Sequence, residues 1–389
     1  MRDLSVITKE FGDLSRWQKR APFWIDKPDV GMPFLMSLKA ARVHVIGKSA
    51  AGREIVAVEM GEKEPLDATT DNLSSSLASV QAPPDPTALF PSAFYGKTRR
   101  KKPVLAIQGG IHGGELTGTV AMMNLCKIVE DGADLRGKKW PALQELARGV
   151  RLAMIPWLNP DGVERWPFRN AENLPIEAYS RCMMGVAKDG TKHKYPAVKD
   201  IFPIPPEETA FMGSYFNDAG VNLQYDWTSL ERQPETQDWM RYYLAERPDG
   251  VLIWHCNSGS MMGPPESYLP EGFQHEFSRL SGAVQARLWR EGYNVTRMSW
   301  AGLVGMGRPY LNQISATYHV SGAMPIMAEL PCGAVEWPFT AEEMLDIGLL
   351  TIEETLSFAH KDGLRPYEYW EKVKKQMSIT PVLGKFTKA

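Results

Sequence analysis

The sequence predicts a three-layer α/β domain, and three observations lead to that prediction. Short apolar or β-branched runs alternate along the chain with longer segments whose apolar residues recur at helical spacing, which is typical of helices packed on a sheet. Hydrophobic residues make up 43% of the 389 residues and charged residues 23%, as in a soluble globular protein. There is no internal repeat, and no apolar run approaches the length of about 18 residues that a membrane-spanning helix needs.

The first elements are a predicted hairpin and a long loop. A helical stretch over 33–40 leads into two Val- and Ile-rich runs, 41–46 and Glu54–Met60, which flank a glycine-containing turn at 47–53. From 61 to 102 the composition shifts towards Ser and Pro, which predicts a surface loop excursion that is too short to be a domain.

The middle and the end of the chain carry the remaining elements of the predicted sheet. The buried strand Val104–Gln108 is followed by a helix over 116–130, and a second helix over 141–149 precedes a strand over 150–158. Several prolines and little periodicity predict an insertion at 170–217. The later predicted elements are a strand over 250–254, a helix over 276–292, a strand over 325–330 and the helix Ala341–His360. We therefore expect one domain over 1–360 and a short tail over 361–389.

Charge and composition argue against several classes of function. The 44 Lys and Arg nearly balance the 46 Asp and Glu, so we expect no nucleic-acid partner, and the basic run at 97–102 is typical of a solvated loop. The cysteines form no C-x-x-C pair, which excludes a cysteine zinc knuckle and favours reduced, buried thiols. Residues 1–9 lack the apolar core of a signal peptide, so the expected location is the cytoplasm, with no membrane contact.

Four polar residues that suit metal chemistry end or follow predicted strands. His112 and Glu115 come after the strand 104–108, His255 follows the strand 250–254, and Glu329 lies in the strand 325–330. Ligands bind at the carboxyl ends of strands in open α/β sheets, so these side chains are expected to meet. Two imidazoles and one carboxylate make a catalytic zinc ligand set with one open position, and a second carboxylate suits a general base. The H-x-x-E spacing alone is equally compatible with structural histidines.

Several segments, in chain order, resemble those of the zinc carboxypeptidase family. Residues 47–55 (GKSAAGREI) are similar to the family's early hairpin turn, and 108–115 (QGGIHGGE) to its first metal segment, H-x-x-E. Residues 158–162 (LNPDG) resemble the strand-end turn that follows. Residues 251–258 (VLIWHCNS) and 327–333 (MAELPCG) resemble the strands of the third ligand and of the catalytic glutamate. The resemblance covers roughly 40–360 and implies a three-layer α/β/α fold with a central mixed sheet of the eight-stranded type.

The resemblance implies a role for each matching residue. His112, Glu115 and His255 would hold one Zn²⁺ per chain, and Glu329 would be the general base that activates the attacking water and returns its proton to the leaving amine. Arg169 would stabilise the oxyanion, with Arg165 as the alternative. The predicted activity is that of a zinc metallopeptidase or amidohydrolase.

The segment that normally reads D-L-N-R in the family departs from that pattern. Its Asn-Arg pair grips the substrate's C-terminal carboxylate, but here 220–227 reads GVNLQYDW and supplies Gln224 and Tyr225, which carry no charge. Either Arg297 or Arg308 grips a carboxylate from another loop, or the substrate has no free C-terminal carboxylate near the scissile amide. The second alternative is our prediction, and it implies a peptide-like substrate of another kind.

Three further expectations concern the pocket and its substrate. Tyr310 is the predicted tyrosine near the scissile bond, Tyr318 is more typical of a packed strand residue, and Asn257 is expected to line the pocket with Gln224 and Tyr225. The expected partner is a peptide or a small amide, and the oligomeric state stays open. Two alternatives are a deacylase or amidase that acts on a small acyl-amino compound with the same centre, and a non-catalytic binding protein that retains the fold.

Overall fold

The computed structural model describes residues 4–65, 100–169, 171–193, 203–257, 269, 271–295, 312–335, 338–361 and 363–364. Its strands are β1 (Ala41–Lys48), β2 (Glu54–Met60), β3 (Val104–Gln108), β4 (Arg151–Ile155), β5 (Val186–Ala187), β6 (Thr209–Phe211), β7 (Gly250–Asn257) and β8 (Met324–Pro331). Its helices are α1 (Ser5–Phe11), α2 (Pro28–Ser37), α3 (Thr117–Asp131), α4 (Pro141–Arg148), α5 (Pro160–Arg165), α6 (Ile176–Met184), α7 (Pro234–Glu246), α8 (Glu271–Arg290), α9 (Gln313–Ser321) and α10 (Ala341–His360).

Six strands form one mixed sheet in the order β1-β2-β4-β3-β7-β8. The hairpin β1–β2 is antiparallel and β2 runs antiparallel to β4, whereas β4, β3, β7 and β8 are parallel neighbours. The carboxyl ends of these parallel strands therefore open on one edge of the sheet, which is where ligands bind in such folds. β5 and β6 form a separate small sheet.

The strands alternate their side chains between two hydrophobic cores, which gives the fold its three layers. In β3, Leu105 and Ile107 face a core shared with α3, α4, α8 and α10, whereas Ala106 faces a second core shared with α7 and α9. Both faces of the sheet are thus covered by helices, and this explains why the central strands β3 and β4 are buried throughout and mostly apolar rather than alternating. The predicted three-layer α/β/α class with a mixed sheet is confirmed, whereas the main sheet has six strands in the described part of the chain instead of the expected eight-stranded type.

The helix α9 corrects one sequence prediction. Tyr318 was expected to be a strand residue, but it lies in α9, between a capping box made by Asn312 and Ser315 and a left-handed Gly322. Nearly every residue of α9 is buried, so the helix has no polar face to reveal a helical period. The prediction of a strand was wrong for this reason.

Parts of the other predictions fall outside the described residues. The insertion 170–217 contains α6, β5 and β6 in its described part, whereas the loop excursion is described only at its two ends and the tail 361–389 only at its start. The four cysteines are free and buried, as expected. Among the described helices, none combines the length and the apolar character needed to cross a membrane.

Candidate metal centre

The loop after β3 is pressed against the turn that follows β4. Gly110 adopts a left-handed φ of 61°, and its carbonyl accepts a 2.9 Å hydrogen bond from the backbone N–H of Asn159. The Asn159 side chain donates to the carbonyl of Ile111 over 3.2 Å. A Cβ on Gly113 would lie 2.0 Å from the carbonyl carbon of Gly162, so only glycine fits at that contact. The glycines of the H-G-G-E loop and the asparagine of N-P-D-G therefore lock two strand ends together.

The three predicted ligands converge in the interior. His112, Glu115 and His255 are 4%, 3% and 3% exposed, and one ligand atom from each lies within 4.8 Å of the others. Nδ1 of His112 is 3.0 Å from one Glu115 oxygen, and Nδ1 of His255 is 2.9 Å from the other. The carboxylate thus sits between the two imidazoles.

The charge and the bonding of this group fit a bound metal ion. Burial opposes ionisation of Glu115, but the adjacent His112 and His255 outweigh it and lower the pKa of the carboxyl below its ordinary value. Nε2 of His112 and Nε2 of His255 are buried and have no hydrogen-bond partner among the described residues. Buried polar atoms are normally satisfied, and two imidazoles with one carboxylate are zinc's preferred donors. The residues therefore fit the zinc ion that the sequence predicts.

The neighbouring thiols do not belong to the donor set. Burial raises the pKa of Cys256 well above its usual range and that of Cys332 to about 12. The ligand atoms that lie within 4.8 Å of one another come from His112, Glu115 and His255 and include neither thiol.

Glu329 lies on the strand next to the third ligand. β7 and β8 pair in parallel with His255 directly opposite Glu329, so both side chains project from the same face of the sheet, about 5 Å apart at the backbone. His255 is buried and Glu329 is half-buried. The register therefore brings Glu329 beside the group of three without including it.

Asp161 of the N-P-D-G turn fastens the hairpin turn to the segment that leads to Gln224. It is 1% exposed, and its Oδ1 accepts hydrogen bonds from Ser49 Oγ (2.6 Å) and Arg53 Nη1 (2.7 Å). Its Oδ2 accepts from the backbone N–H groups of Ala51 (3.2 Å) and Asp218 (3.1 Å). One buried carboxylate of the N-P-D-G turn therefore joins the hairpin turn to the segment that leads to Gln224.

Arg169 is engaged by two carboxylates near the start of α2. Its Nη1 donates to Asp29 over 2.9 Å, its Nη2 contacts the other oxygen of Asp29, and Nη1 lies 3.5 Å from Asp26. Its side chain is 24% exposed, while that of Asp26 is buried. The described residues thus supply a charged partner for this guanidinium outside the group of three ligands.

Arg165, the alternative, is a structural clamp. Its Nη1 donates to the carbonyls of Met212 (3.2 Å), Gly213 (2.8 Å) and Phe216 (2.9 Å), and its Nη2 pairs with Asp218. The guanidinium is buried, and both of its terminal nitrogens are engaged by residues 212–218.

The predicted substrate residues are described only in part. Gln224 is 6% exposed and its carbonyl accepts a 2.6 Å hydrogen bond from the backbone of Gln313, while Tyr225 is half-buried. Asn257 ends β7, but its side chain is outside the described residues. Tyr310, Arg297 and Arg308 also lie outside the described residues.

Two residues that contact predicted site residues carry no signal in the sequence. Tyr215, at the end of the insertion, stacks on His112 with ring centroids 4.0 Å apart and planes inclined by 27°. Asp26 is fully buried beside Arg169, and burial raises its pKa to about 6. Neither residue belongs to a recognisable motif, and the contacts that matter join distant parts of the chain.

Residues 37–172 match the family model described as zinc carboxypeptidase. This range includes the hairpin, the H-x-x-E loop and the N-P-D-G turn. No curated protein is matched.

Solved structures share the fold at low sequence identity. The chain is similar to a putative carboxypeptidase from Burkholderia mallei, with 15% identity, 85% of this chain and 66% of that chain covered, and a TM-score of 0.53. A metallo-carboxypeptidase from Burkholderia cenocepacia has 16% identity, 85% and 68% coverage and a TM-score of 0.51. Bovine thrombin-activatable fibrinolysis inhibitor, in complex with tick carboxypeptidase inhibitor, has 11% identity, 88% and 100% coverage and a TM-score of 0.50.

The chain therefore spans just under two thirds of the length of the first of these structures. At identities this low, the structural similarity shows a shared fold, which is that of carboxypeptidases. Together with the family match, they confirm the resemblance that the motifs indicated.

Proposed function

We propose that this chain, which matches the zinc carboxypeptidase model over 37–172 and has a carboxypeptidase fold, hydrolyses amide or peptide bonds in a zinc-dependent reaction. One observation carries the proposal. Three buried ligand residues converge on one point, and a half-buried glutamate lies directly opposite the third of them in the sheet.

His112, Glu115 and His255 would hold one Zn²⁺ per chain, and the bound ion would polarise the scissile carbonyl and acidify the attacking water. The ligand residues contribute more than donor atoms. Their burial keeps bulk water away, so the charges of the site act in a low dielectric and are poorly screened.

Glu329 is the proposed general base. It would take a proton from the water as that water adds to the carbonyl carbon, and it would return the proton to the amine nitrogen as the carbon–nitrogen bond breaks. Its strand position supports this role, because the pairing with His255 holds it beside the ligands and its partial exposure leaves room for a substrate.

Arg169 is the proposed partner of the developing oxyanion. A guanidinium is always charged and presents several donors, which suits that task. Asp29 is an exposed partner, so exchange of its carboxylate for a substrate oxygen costs little, while the buried Asp26 would keep the guanidinium in place. Arg165 suits the task less well, since its donors are already used by backbone carbonyls and Asp218.

The proposed substrate is peptide-like but lacks a free C-terminal carboxylate next to the scissile amide. Gln224 and Tyr225 stand where the family's charged clamp is expected, and neither can neutralise a carboxylate. Amidated, cyclic or acylated compounds fit such a site, and a small acyl-amino compound would use the same centre.

A mass-spectrometric screen with metal analysis tests this proposal. The purified chain should contain about one zinc and cleave C-terminally amidated or acylated peptides faster than matched free acids. Glu329→Gln should lose activity by about 10²-fold or more while keeping its zinc, because it removes the base but no ligand. Glu145→Gln, which changes an exposed glutamate on α4, is the matched control and should leave activity unchanged.

Each part of the proposal has its own contradicting outcome. A chain that neither contains nor takes up a transition metal would refute the zinc site. A zinc-loaded chain that cleaves only free acids would overturn the substrate class, and one that hydrolyses nothing in a broad peptide and acyl-amide library would favour the non-catalytic binding protein.

A further inference from the structure

We propose that Tyr215, from the insertion, is a positioning residue of the metal centre that holds the imidazole of His112 in its ligating orientation. The inference rests on the proposed zinc site and deepens it, because it assigns to the insertion a part in the metal centre itself.

The first argument is that the ring nitrogen of His112 that does not face Glu115 has no orienting partner among the described residues. A metal-bound histidine usually donates its second ring N–H to a carboxylate or a carbonyl, which fixes the plane of the ring. In His112 the nitrogen that faces Glu115 is Nδ1, and Nε2 is buried without a hydrogen-bond partner in the described part of the chain. The Tyr215 ring lies almost flat on this imidazole, at 4.0 Å and 27°. Rotation of the imidazole about its Cβ–Cγ bond would drive its edge into the phenol ring.

The second argument is that Tyr215 is itself held firmly. Its backbone N–H donates to Met183 of α6 over 3.0 Å, and the preceding Ser214 donates to Cys182 over 2.9 Å. The Ser214 carbonyl in turn accepts a 2.7 Å hydrogen bond from Gly113, inside the H-G-G-E loop. A residue fixed to both the insertion and the ligand loop can transmit rigidity to a ligand.

The third argument is the buried Arg165. Its guanidinium gathers the carbonyls of Met212, Gly213 and Phe216, which are the residues on either side of Tyr215. A buried charge is costly unless it is fully bonded, so this arrangement strongly favours a single conformation of 212–216. The insertion therefore contributes to the metal centre itself, because its residue Tyr215 packs against His112.

The test compares zinc release from the full-length wild-type chain, Tyr215→Leu and Tyr215→Phe. Each protein is loaded with one zinc, and release to an excess of a chromogenic chelator is followed without any substrate. We expect Tyr215→Leu to release zinc about tenfold to a hundredfold faster and Tyr215→Phe, which keeps the stacked ring, to stay within about twofold of wild type. With Co²⁺ in place of zinc, the visible absorption band should change in the leucine variant and persist in the phenylalanine variant.

The outcomes separate this inference from the proposed function. If the wild-type chain binds no zinc, the proposed function fails. If it binds zinc and Tyr215→Leu releases it at the wild-type rate with an unchanged Co²⁺ spectrum, only the role of Tyr215 fails. Unfolding of the metal-free proteins in urea serves as the control, and the inference requires the leucine variant to lose more stability with zinc bound than without it.

Discussion

The H-G-G-E loop contacts the N-P-D-G turn through Gly113 and Gly162, and this contact predicts that Gly113→Ala destroys the metal centre. The added methyl carbon would lie 2.0 Å from the carbonyl carbon of Gly162, 2.2 Å from the nitrogen of Val163 and 2.3 Å from the oxygen of Gly162. Ordinary van der Waals contact begins near 3.4 Å, so the two backbones must separate by about 1.4 Å. Because the opposing wall is backbone, no side-chain rotation relieves the clash.

The magnitude follows from this displacement. Overpacking a well-packed interior costs about 1–3 kcal/mol, and a backbone wall that cannot rotate aside points to the upper end, about 3 kcal/mol. Zinc affinity should be affected more strongly than stability. Metal–ligand distances tolerate a deviation of only about 0.2 Å, and the shift moves the loop that carries both His112 and Glu115. We expect zinc affinity to fall by about 100-fold or more.

Urea denaturation of the metal-free protein and zinc competition with a chelator measure the two effects. The control is Gly282→Ala, since Gly282 is exposed in α8 with nothing within 4 Å of the added carbon, and alanine there should stabilise the helix by about 1 kcal/mol. Wild-type zinc affinity in Gly113→Ala, or a urea midpoint no lower than that of wild type, would refute the reasoning.

Two further predictions concern buried carboxylates. Burial raises the pKa of Asp26 from 3.8 to about 6, so the folded chain retains a proton that the unfolded chain has released, and the carboxyl's contribution to stability falls as pH rises from about 4 to 6. The free energy of unfolding of Asp26→Asn, measured relative to wild type by urea denaturation, should therefore increase by about 2 kcal/mol between pH 4.5 and pH 7.5. A difference from wild type that does not change with pH would contradict this. Asp161→Asn should destabilise the chain by about 2–4 kcal/mol, because its amide nitrogen would face the backbone donors of Ala51 and Asp218. The control is Asp131→Asn, which changes an exposed carboxylate. Equal thermal midpoints for the two variants would contradict the prediction.

The sheet and the convergence of His112, Glu115 and His255 were predictable because their signals are local. A buried strand followed by glycines and a histidine is visible in a few consecutive residues, as at His112, and an apolar run that leads into a histidine is equally visible at His255, near the end of β7. The sheet then brings these strand ends together for reasons of topology, so residues far apart in the chain were correctly grouped.

Other features could not be read from the sequence, because they depend on contacts between distant segments. The helices α7 and α9 bury polar and apolar residues alike, which removes the amphipathic period, and neither was predicted. The ion pair of Arg169 with Asp29 and the stack of Tyr215 on His112 join segments with no shared motif. By contrast, the departure at Gln224 and Tyr225 was visible, because these residues lie within a short motif segment.

The spacing of the ligands along the chain has a consequence for biosynthesis. His255 lies 140 positions after Glu115, on the strand β7, which pairs with β3 in the sheet. A nascent polypeptide that has emerged as far as β4 carries only two of the three donors, which is too few for tight zinc coordination. Metal uptake is therefore expected late in translation or after release from the ribosome, once most of the domain has been made.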